Sequence, residues 1–325
     1  MTRITIRTGT LVALACCFAV PTLAQTYPSK AIRIIAPYPA GGSSDTIARM
    51  MAVKLNEAWG QPVVVDNRGG VGGSLGTEIV AKSPPDGYTL LVGNVQPVAI
   101  NNNIYRKLGY DTVRDLAPIS LAVTGPQIVA VHPSVPAKNI RELIAVARGR
   151  TGNARLNFGS SGPGSISQLA AELFKGMAQV DMVHIPYKGS ALITNDLIGG
   201  HLDIVFSDMA VMLPHTKSGR VRALAVTGPK ATPLVPGVPA VAETVPGFVM
   251  ESWWGMLAPA DTPDAVITRI NTELARILQL NDVKERFASL GVEAKSSSPA
   301  EFSALIKSEL VRYAKLIKDI GITPE

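Results

Sequence analysis

Three short segments of the sequence combine glycine and serine in a way that suits an anion-binding site. The first, residues 38–45 (YPAGGSSD), follows an apolar strand predicted over residues 32–35 and opens a predicted helix. Glycine lets the backbone approach a bound group closely, and the first amide N–H groups of a helix have no acceptor within that helix. Because the helix dipole also makes this end positive, the segment predicts a site for a negatively charged group.

Two further segments repeat the arrangement in the second half of the chain. Residues 158–165 (FGSSGPGS) follow a strand predicted over residues 154–158. Residues 186–190 (PYKGS) follow a strand predicted over residues 183–187. Ligands of open parallel sheets bind beyond the carboxyl ends of the strands. We therefore expect segments from the two halves of the chain to face one cleft.

Polar side chains in these segments are candidates for ligand contact, and each has a structural alternative. Asp45 suits a helix cap better than a ligand contact, because a carboxylate repels an anion unless it binds loop amides or a ligand ammonium. Ser161 and Ser165 can donate their hydroxyls to a carboxylate or cap the following helix. Lys188 is a candidate counter-ion, although its loop can also act through the backbone alone.

Three more candidates follow predicted strands outside the glycine segments. Asn94 and Gln96 come after a strand predicted over residues 88–92 and are candidates for contact with the far end of a ligand. Asp208 stands just beyond a strand predicted over residues 202–206. A buried carboxylate is costly, so if Asp208 contacts the ligand, either it is protonated or the ligand offers a hydrogen-bond donor.

The sequence argues against catalysis, metal binding and nucleic-acid binding. Residues 72–76 match G-x-S-x-G, but this motif needs a strand directly before its serine, and here a loop follows Asp66. A serine hydrolase at Ser74 remains a remote alternative. The histidines are dispersed without metal-ligand spacing, only 5% of residues are aromatic, and the 31 basic residues are scattered. We expect no cofactor.

The N-terminus has the layout of a secretory signal peptide. Arg3 and Arg7 precede an apolar stretch over residues 11–20, and small residues suit cleavage near Ala24. The apolar stretch is shorter than the ~20 residues that span a bilayer. Both cysteines precede the cleavage point, so we expect the exported chain to have neither a disulfide nor a thiolate metal site.

Strands and helices alternate along the rest of the chain, which is typical of parallel sheets covered by helices. Residues 111–131 are predicted to cross out of a first lobe, and residues 251–257 to return to it. This predicts an α/β fold of two doubly wound sheets joined by two crossover strands. After the signal peptide (residues 1–24), the predicted lobes are residues 25–124 with 251–325, and residues 125–250.

Six motifs, in order along nearly the whole chain, resemble the receptors of tripartite tricarboxylate transporters, also called the Bug family. They are YPAGGSSDTIAR (38–49), VDNRGGVGGSLG (65–76), PDGYTLLVGN (85–94), FGSSGPGS (158–165), PYKG followed by DLIGG (186–189 and 196–200), and WWGMLAPADTP (253–263). The resemblance implies a periplasmic solute-binding protein with a two-lobed Venus-flytrap fold. It also implies a small carboxylate as the ligand.

The resemblance further implies which loops hold that ligand. In the family, main-chain amides and waters of the loop after the first strand and of the PYKG loop hold one carboxylate. Here the matching residues are Ala40, Gly41, Gly42 and Ser43, with Tyr38 in the same motif, and Tyr187, Lys188, Gly189 and Ser190. Leu192 and Ile193 stand where the family often has Pro and Ala, and Gln168 stands where it often has His, which affects the identity of the ligand.

The sequence as a whole predicts a receptor, not an enzyme. We expect it to capture a mono-, di- or tricarboxylate or an acidic amino acid between two lobes and to deliver it to a membrane permease of the tripartite tricarboxylate type. An alternative partner is a sensor kinase. The protein is expected to be a periplasmic monomer without a metal or a nucleic-acid partner.

Overall fold

The computed structural model describes residues 27–322, and the predicted signal peptide, with its cleavage point near Ala24, lies outside the described residues. Strands and helices alternate along the described chain, as predicted. The strands are β1 (Ile32–Ala36), β2 (Val63–Asn67), β3 (Thr89–Asn94), β4 (Leu116–Val131), β5 (Leu156–Ser160), β6 (Met182–Pro186), β7 (Ile204–Asp208), β8 (Arg222–Val226), β9 (Glu251–Pro259) and β10 (Glu293–Ala294). The helices are α1 (Ser43–Trp59), α2 (Ser74–Ala81), α3 (Asn101–Ile104), α4 (Thr112–Asp115), α5 (Ile140–Gly149), α6 (Ile166–Ala178), α7 (Ser190–Ile198), α8 (Met209–Lys217), α9 (Asp264–Gln279), α10 (Asn281–Ser289) and α11 (Pro299–Asp319).

The strands form two groups that meet on β4. The first group has the order β2-β1-β3-β9-β4, in which β1, β2 and β3 are parallel and β9 is antiparallel to its neighbours. The second group has the order β4-β7-β5-β6, and β8 also pairs with β4. Residues 116–126 of β4 pair with β9, and residues 127–131 pair with β7. The long strand β4 therefore passes from one group to the other, and the protein has two lobes.

The exact limits of the lobes remain our proposal: residues 25–124 with 251–325 for the first, and residues 125–250 for the second. The exchange of β4 partners after Pro126 supports this division. So does the pairing of Pro126 with Glu251, because it places the outgoing and returning chain side by side. None of the helices within residues 27–322 combines the length and the apolar character needed to cross a bilayer.

The first strand and helix show how the sequence positions the site. Strand β1 (IRIIA) is almost entirely apolar because helices cover both faces of its sheet. Ile34 faces α1, whose Ile47 and Met51 pack in the same core cluster, whereas Ile35 lies in the cluster on the other face. Helix α1 ends at Gly60, which adopts the left-handed conformation (φ 63°). This packing fixes the N-terminus of α1 just beyond the carboxyl end of β1.

Helices α8 and α10 are absent from the sequence-based prediction, as are the four-residue helices α3 and α4. The apolar residues of α8 form one short continuous run over residues 209–213, which does not distinguish a helix from a buried strand, and Pro214 lies inside the helix. Helix α10 buries only Val283 and Phe287, and Leu280 separates it from α9 in an extended conformation. The tail therefore contains three helices instead of the two that the spacing of its apolar residues predicts.

The crossover predicted over residues 111–131 begins later than expected. Residues Thr112–Asp115 form the short helix α4, and the Asp111 side chain caps it by accepting hydrogen bonds from the amides of Val113 and Arg114. The segment after β3 is also helical, with a turn at Gln96–Ile100 that continues into α3. Local capping and packing decide both of these starts.

Candidate functional site

A cavity of about 210 Å³ lies between the two lobes, at the carboxyl ends of β1, β3, β5, β6 and β7. This is where open α/β sheets bind their ligands. The predicted candidates that line it are Tyr38, Ala40, Gly42, Ser43, Asn94, Gln96, Ser161, Lys188, Gly189 and Asp208. The predicted candidates that do not line it are Gly41, Asp45, Ser165 and Tyr187. Leu192 and Ile193, which depart from the family pattern, also line the cavity.

Helices α1 and α7 both begin at the cavity without a side-chain cap. Their N-cap residues are Gly42 and Gly189, which have no side chain to accept a first-turn amide. Side chains do cap α4, α5, α6 and α11. A Cβ placed on Gly42 would lie 3.5 Å from Ser190 Oγ, so the two helix starts face each other across the cavity. Their free amides and dipoles favour a negative group between them.

The two first-loop candidates outside the cavity support that loop. Asp45 is 5% exposed, and its Oδ2 accepts a hydrogen bond from the amide of Gly41 at 2.9 Å. Arg49 forms an ion pair with Asp45 at 2.9 Å. Burial alone would raise the pKa of Asp45, but the hydrogen bonds from Arg49 and Gly41 outweigh it and lower the pKa. Asp45 therefore holds the loop in place, and its charge is already compensated.

One wall of the cavity is a hydrogen-bonded cluster around Tyr38. The Tyr38 hydroxyl lies 3.2 Å from Asn94 Oδ1 and 3.0 Å from Gln96 Oε1. Gln96 Nε2 in turn donates to Pro163 O, at 3.3 Å, in the second lobe. A Cβ on Gly72 would lie 2.6 Å from Gln96 Nε2. The glycine-rich loop before α2 therefore supports this wall from behind and does not line the cavity.

Of the candidate residues in the second lobe, some line the cavity and others only stabilise the fold. Ser165 is the N-cap of α6 and accepts a hydrogen bond from the amide of Gln168 at 3.3 Å. The Tyr187 hydroxyl donates to Asp196 at 2.6 Å, away from the cavity. Ser161 lines the cavity, and its hydroxyl lies 3.2 Å from that of Ser167, which lines it too.

Asp208 ends β7 at the floor of the cavity. Its Oδ2 accepts a hydrogen bond from Ser43 Oγ at 2.9 Å, and its Oδ1 accepts one from Ser252 Oγ at 3.1 Å. The side-chain amide of Gln127 also donates to it. Burial raises the pKa of the Asp208 carboxyl, and these hydrogen bonds act in the opposite direction without cancelling the effect. This carboxyl is therefore costly to keep ionised at its buried position.

Sequence reasoning missed two polar residues beside Asp208. Gln127 and Ser207 both line the cavity. Gln127 is a long polar side chain inside the apolar crossover strand β4, and such an isolated polar residue is a usable signal. Ser252, a partner of Asp208, carries no comparable signal, because only the return of β9 brings it to this place.

A family model described as "Tripartite tricarboxylate transporter family receptor" matches residues 47–322. The chain belongs to this family. BugT of Bordetella pertussis is a relative with 35% identity over 99% of this chain and 98% of its own.

Solved receptor structures share the fold. The R. palustris protein Rpa4515 with adipate has 34% identity and a TM-score of 0.89, covering 92% of this chain and 100% of its own. MatC (Rpa3494) from Rhodopseudomonas palustris with bound malate has 28% identity and a TM-score of 0.83, covering 90% and 100%. The protein is thus a two-lobed periplasmic-type solute-binding receptor, not an enzyme.

The serine residues that suggest hydrolase chemistry lie outside the receptor's cavity. Ser74 follows a 3₁₀ turn instead of a strand, and its hydroxyl accepts a hydrogen bond from Asn101 Nδ2 at 2.8 Å. Ser160 Oγ lies 2.5 Å from His184 Nε2, but the His184 ring stacks on Phe158 and neither residue of this pair lines the cavity. Within the part of the chain that the structure describes, no group of acidic, His or Cys residues could hold a metal ion.

Proposed function

We propose that the receptor captures a small organic carboxylate in the cavity between its lobes. The observation that carries the proposal is the pair of uncapped helix N-termini, at Gly42 and Gly189, that face each other across the cavity. First-turn amides and helix dipoles stabilise an anion without a basic side chain. The relatives with adipate and with malate support a carboxylate as the bound class.

The proposed physiological role is delivery of the carboxylate to a membrane permease of the tripartite tricarboxylate type. The family description supports this partner. We further propose export to the periplasm after cleavage near Ala24. Co-purification of the ligand-loaded receptor with that permease tests the partner, and selective capture of a sensor kinase ectodomain would favour the signalling alternative.

The binding site is tested by Gly42→Leu. Gly42 has φ −83° and ψ 174°, which any residue adopts, and a Cβ there makes only ordinary contacts. The variant should therefore fold, while its side chain fills the cavity between Pro39 and Ser190. We expect carboxylate affinity, measured by calorimetry, to fall by at least about 100-fold, or ~2.7 kcal/mol.

Gly41→Ala is the matched control for that experiment. Gly41 has φ +83° and does not line the cavity, and a Cβ on it meets nothing within 4 Å. The left-handed backbone should cost this variant about 1–2 kcal/mol of stability while its carboxylate affinity stays near that of the wild type. Wild-type affinity in Gly42→Leu would contradict the proposed site.

A further inference from the structure

The floor of the cavity carries two buried polar groups, an amide oxygen and a hydroxyl, that have no hydrogen-bond partner among residues 27–322. Gln127 is 1% exposed and Ser207 is 2% exposed, and both line the cavity. Neither Gln127 Oε1 nor Ser207 Oγ has a hydrogen-bond partner within the described chain. A buried polar atom without a partner costs free energy, so such atoms next to a cavity indicate a bound group.

Both residues are neighbours of Asp208 in the sheet. Gln127 is the register partner of Asp208 and shares its face of the sheet, whereas Ser207 precedes Asp208 on β7, and all three residues line the cavity at the end of that strand. The Gln127 amide nitrogen donates to Asp208, which leaves its carbonyl oxygen as the free acceptor. The floor thus combines a carboxyl group, an amide oxygen and a hydroxyl.

The orientation of Asp208 is unusual for its position. It is the N-cap residue of α8, yet its side chain does not cap that helix and instead accepts hydrogen bonds from Ser43 and Ser252. Among residues 27–322, no ion pair includes Asp208. A buried carboxylate without a counter-ion is costly, so a positive charge supplied by the ligand would offset that cost.

A protonated amine satisfies this set of groups better than a second carboxylate does. An ammonium has three N–H donors and one positive charge, which match the three groups of the floor. The helix N-termini and Lys188, in the same cavity, suit a negative group. The cavity therefore combines groups that suit an anion with a carboxyl group that suits a cation, and the two sets meet where Ser43, the first residue of α1, donates to Asp208 at 2.9 Å.

We propose that the ligand is an amino carboxylate, whose carboxylate lies between the N-termini of α1 and α7 and whose ammonium contacts Asp208, Gln127 and Ser207. This inference rests on the proposed function, because the carboxylate end must occupy the helix N-termini. It adds that the receptor discriminates against the same carbon skeleton without the amine.

The test compares matched ligands on matched variants by calorimetry. The ligand pairs are alanine and propionate, aspartate and succinate, and glutamate and glutarate. For the wild type, we expect at least one amino acid to bind about 10- to 100-fold more tightly than its partner without the amine, the range for a hydrogen bond to a charged group. Asp208→Asn should remove most of this preference, because it weakens amino-acid binding and also removes a negative charge that repels the plain carboxylate.

Two further variants keep the test decisive. Ser207→Ala keeps the charge of Asp208 and should reduce the preference by only a few-fold, so it applies even if Asp208→Asn does not fold. Asp181→Asn removes a negative charge from an exposed ion pair with Arg155, far from the cavity, and should leave the preference unchanged.

The outcomes separate this inference from the proposed function. If plain carboxylates bind the wild type as tightly as the amino acids, and Asp208→Asn changes nothing, the ammonium site is wrong and the carboxylate receptor stands. If neither kind of ligand binds, both are contradicted. Loss of the preference in Asp181→Asn as well would show a general charge effect and overturn the role of Asp208.

Discussion

Asp208 is the residue at which stability and binding conflict. Three donors, from Ser43, Ser252 and Gln127, satisfy its oxygens, yet its charge stays buried without a cation from the protein. The three donors and the missing cation are both explained if the Asp208 carboxylate binds a ligand. Strained or costly groups of this kind persist at functional sites because the rest of the fold compensates for them.

The first prediction concerns the free protein and the pH. Burial raises the pKa of Asp208 above 3.8, so the folded state binds more protons than the unfolded state just above pH 3.8. This carboxyl therefore lowers stability as the pH rises through its folded pKa. We expect ligand-free Asp208→Asn to have a higher free energy of unfolding than the wild type at pH 7, and the difference to shrink as the pH falls towards 4.

Urea unfolding of the ligand-free wild type and Asp208→Asn between pH 7 and pH 4 measures this effect. Asp181→Asn is the control with the opposite sign, because its ion pair with Arg155 lowers the pKa of Asp181. A wild type that is more stable than Asp208→Asn at pH 7 would show that the carboxylate is not a burden to the fold.

At the scale of elements, the helices that begin at the cavity differ in whether a side chain caps their N-terminus. Helices α1 and α7 begin with glycine N-caps and offer their first amides to the cavity, whereas α6 begins with Ser165, whose hydroxyl takes the amide of Gln168. A side-chain cap consumes the amide that a ligand would need. The glycines at α1 and α7 thus give up a cap and leave the amides free for an anion.

The second prediction follows from the cap of α6. Ser165→Ala removes the hydroxyl from the Gln168 amide and should lower the free energy of unfolding by about 1 kcal/mol. Because Ser165 does not line the cavity, ligand affinity should stay within about 2-fold of the wild type. Thermal unfolding and calorimetry on one preparation check both. A large loss of affinity at unchanged stability would instead assign Ser165 to the ligand.

At the scale of the whole molecule, hydrogen bonds across the cavity connect the lobes. Ser43 in α1 donates to Asp208 in the second lobe, and Gln96 donates to Pro163 O. Binding between two lobes joined by two strands favours hinge closure, since a ligand reaches both helix N-termini only when they are close. The described conformation already brings these N-termini together.

The third prediction is that binding compacts the protein. The radius of gyration from small-angle X-ray scattering should fall when a binding carboxylate is added, because the ligand favours the arrangement that touches both lobes. Gly42→Leu, mixed with the same ligand, should show no change. An unchanged radius in the wild type, under saturating ligand, would mean that the free protein is already closed.

The fold was largely predictable because its signals are local. Apolar strands followed by glycine turns and amphipathic helices gave the α/β class and most elements. Helix α8 escaped because its apolar residues form one short continuous run, and helix α10 escaped because it buries only two residues, Val283 and Phe287. Residues 112–115 escaped because a single cap at Asp111 starts a helical turn. Such short elements depend on tertiary packing more than on their own sequence.

The sequence by itself determined the family and the anion-binding character of the first loop and the PYKG loop. A glycine at the start of a helix leaves the backbone amides free to bind an anion, so the local sequence pattern is enough to predict this chemistry. Only the tertiary structure decided which glycine loops face the cavity. The loop before α2 is also rich in glycine and also precedes a helix, but it packs against Gln96 on the side away from the cavity. The tertiary structure also decided the cavity floor, because only the pairing of β4 with β7 brings Gln127 to Ser207 and Asp208, and long-range pairing leaves no local signal.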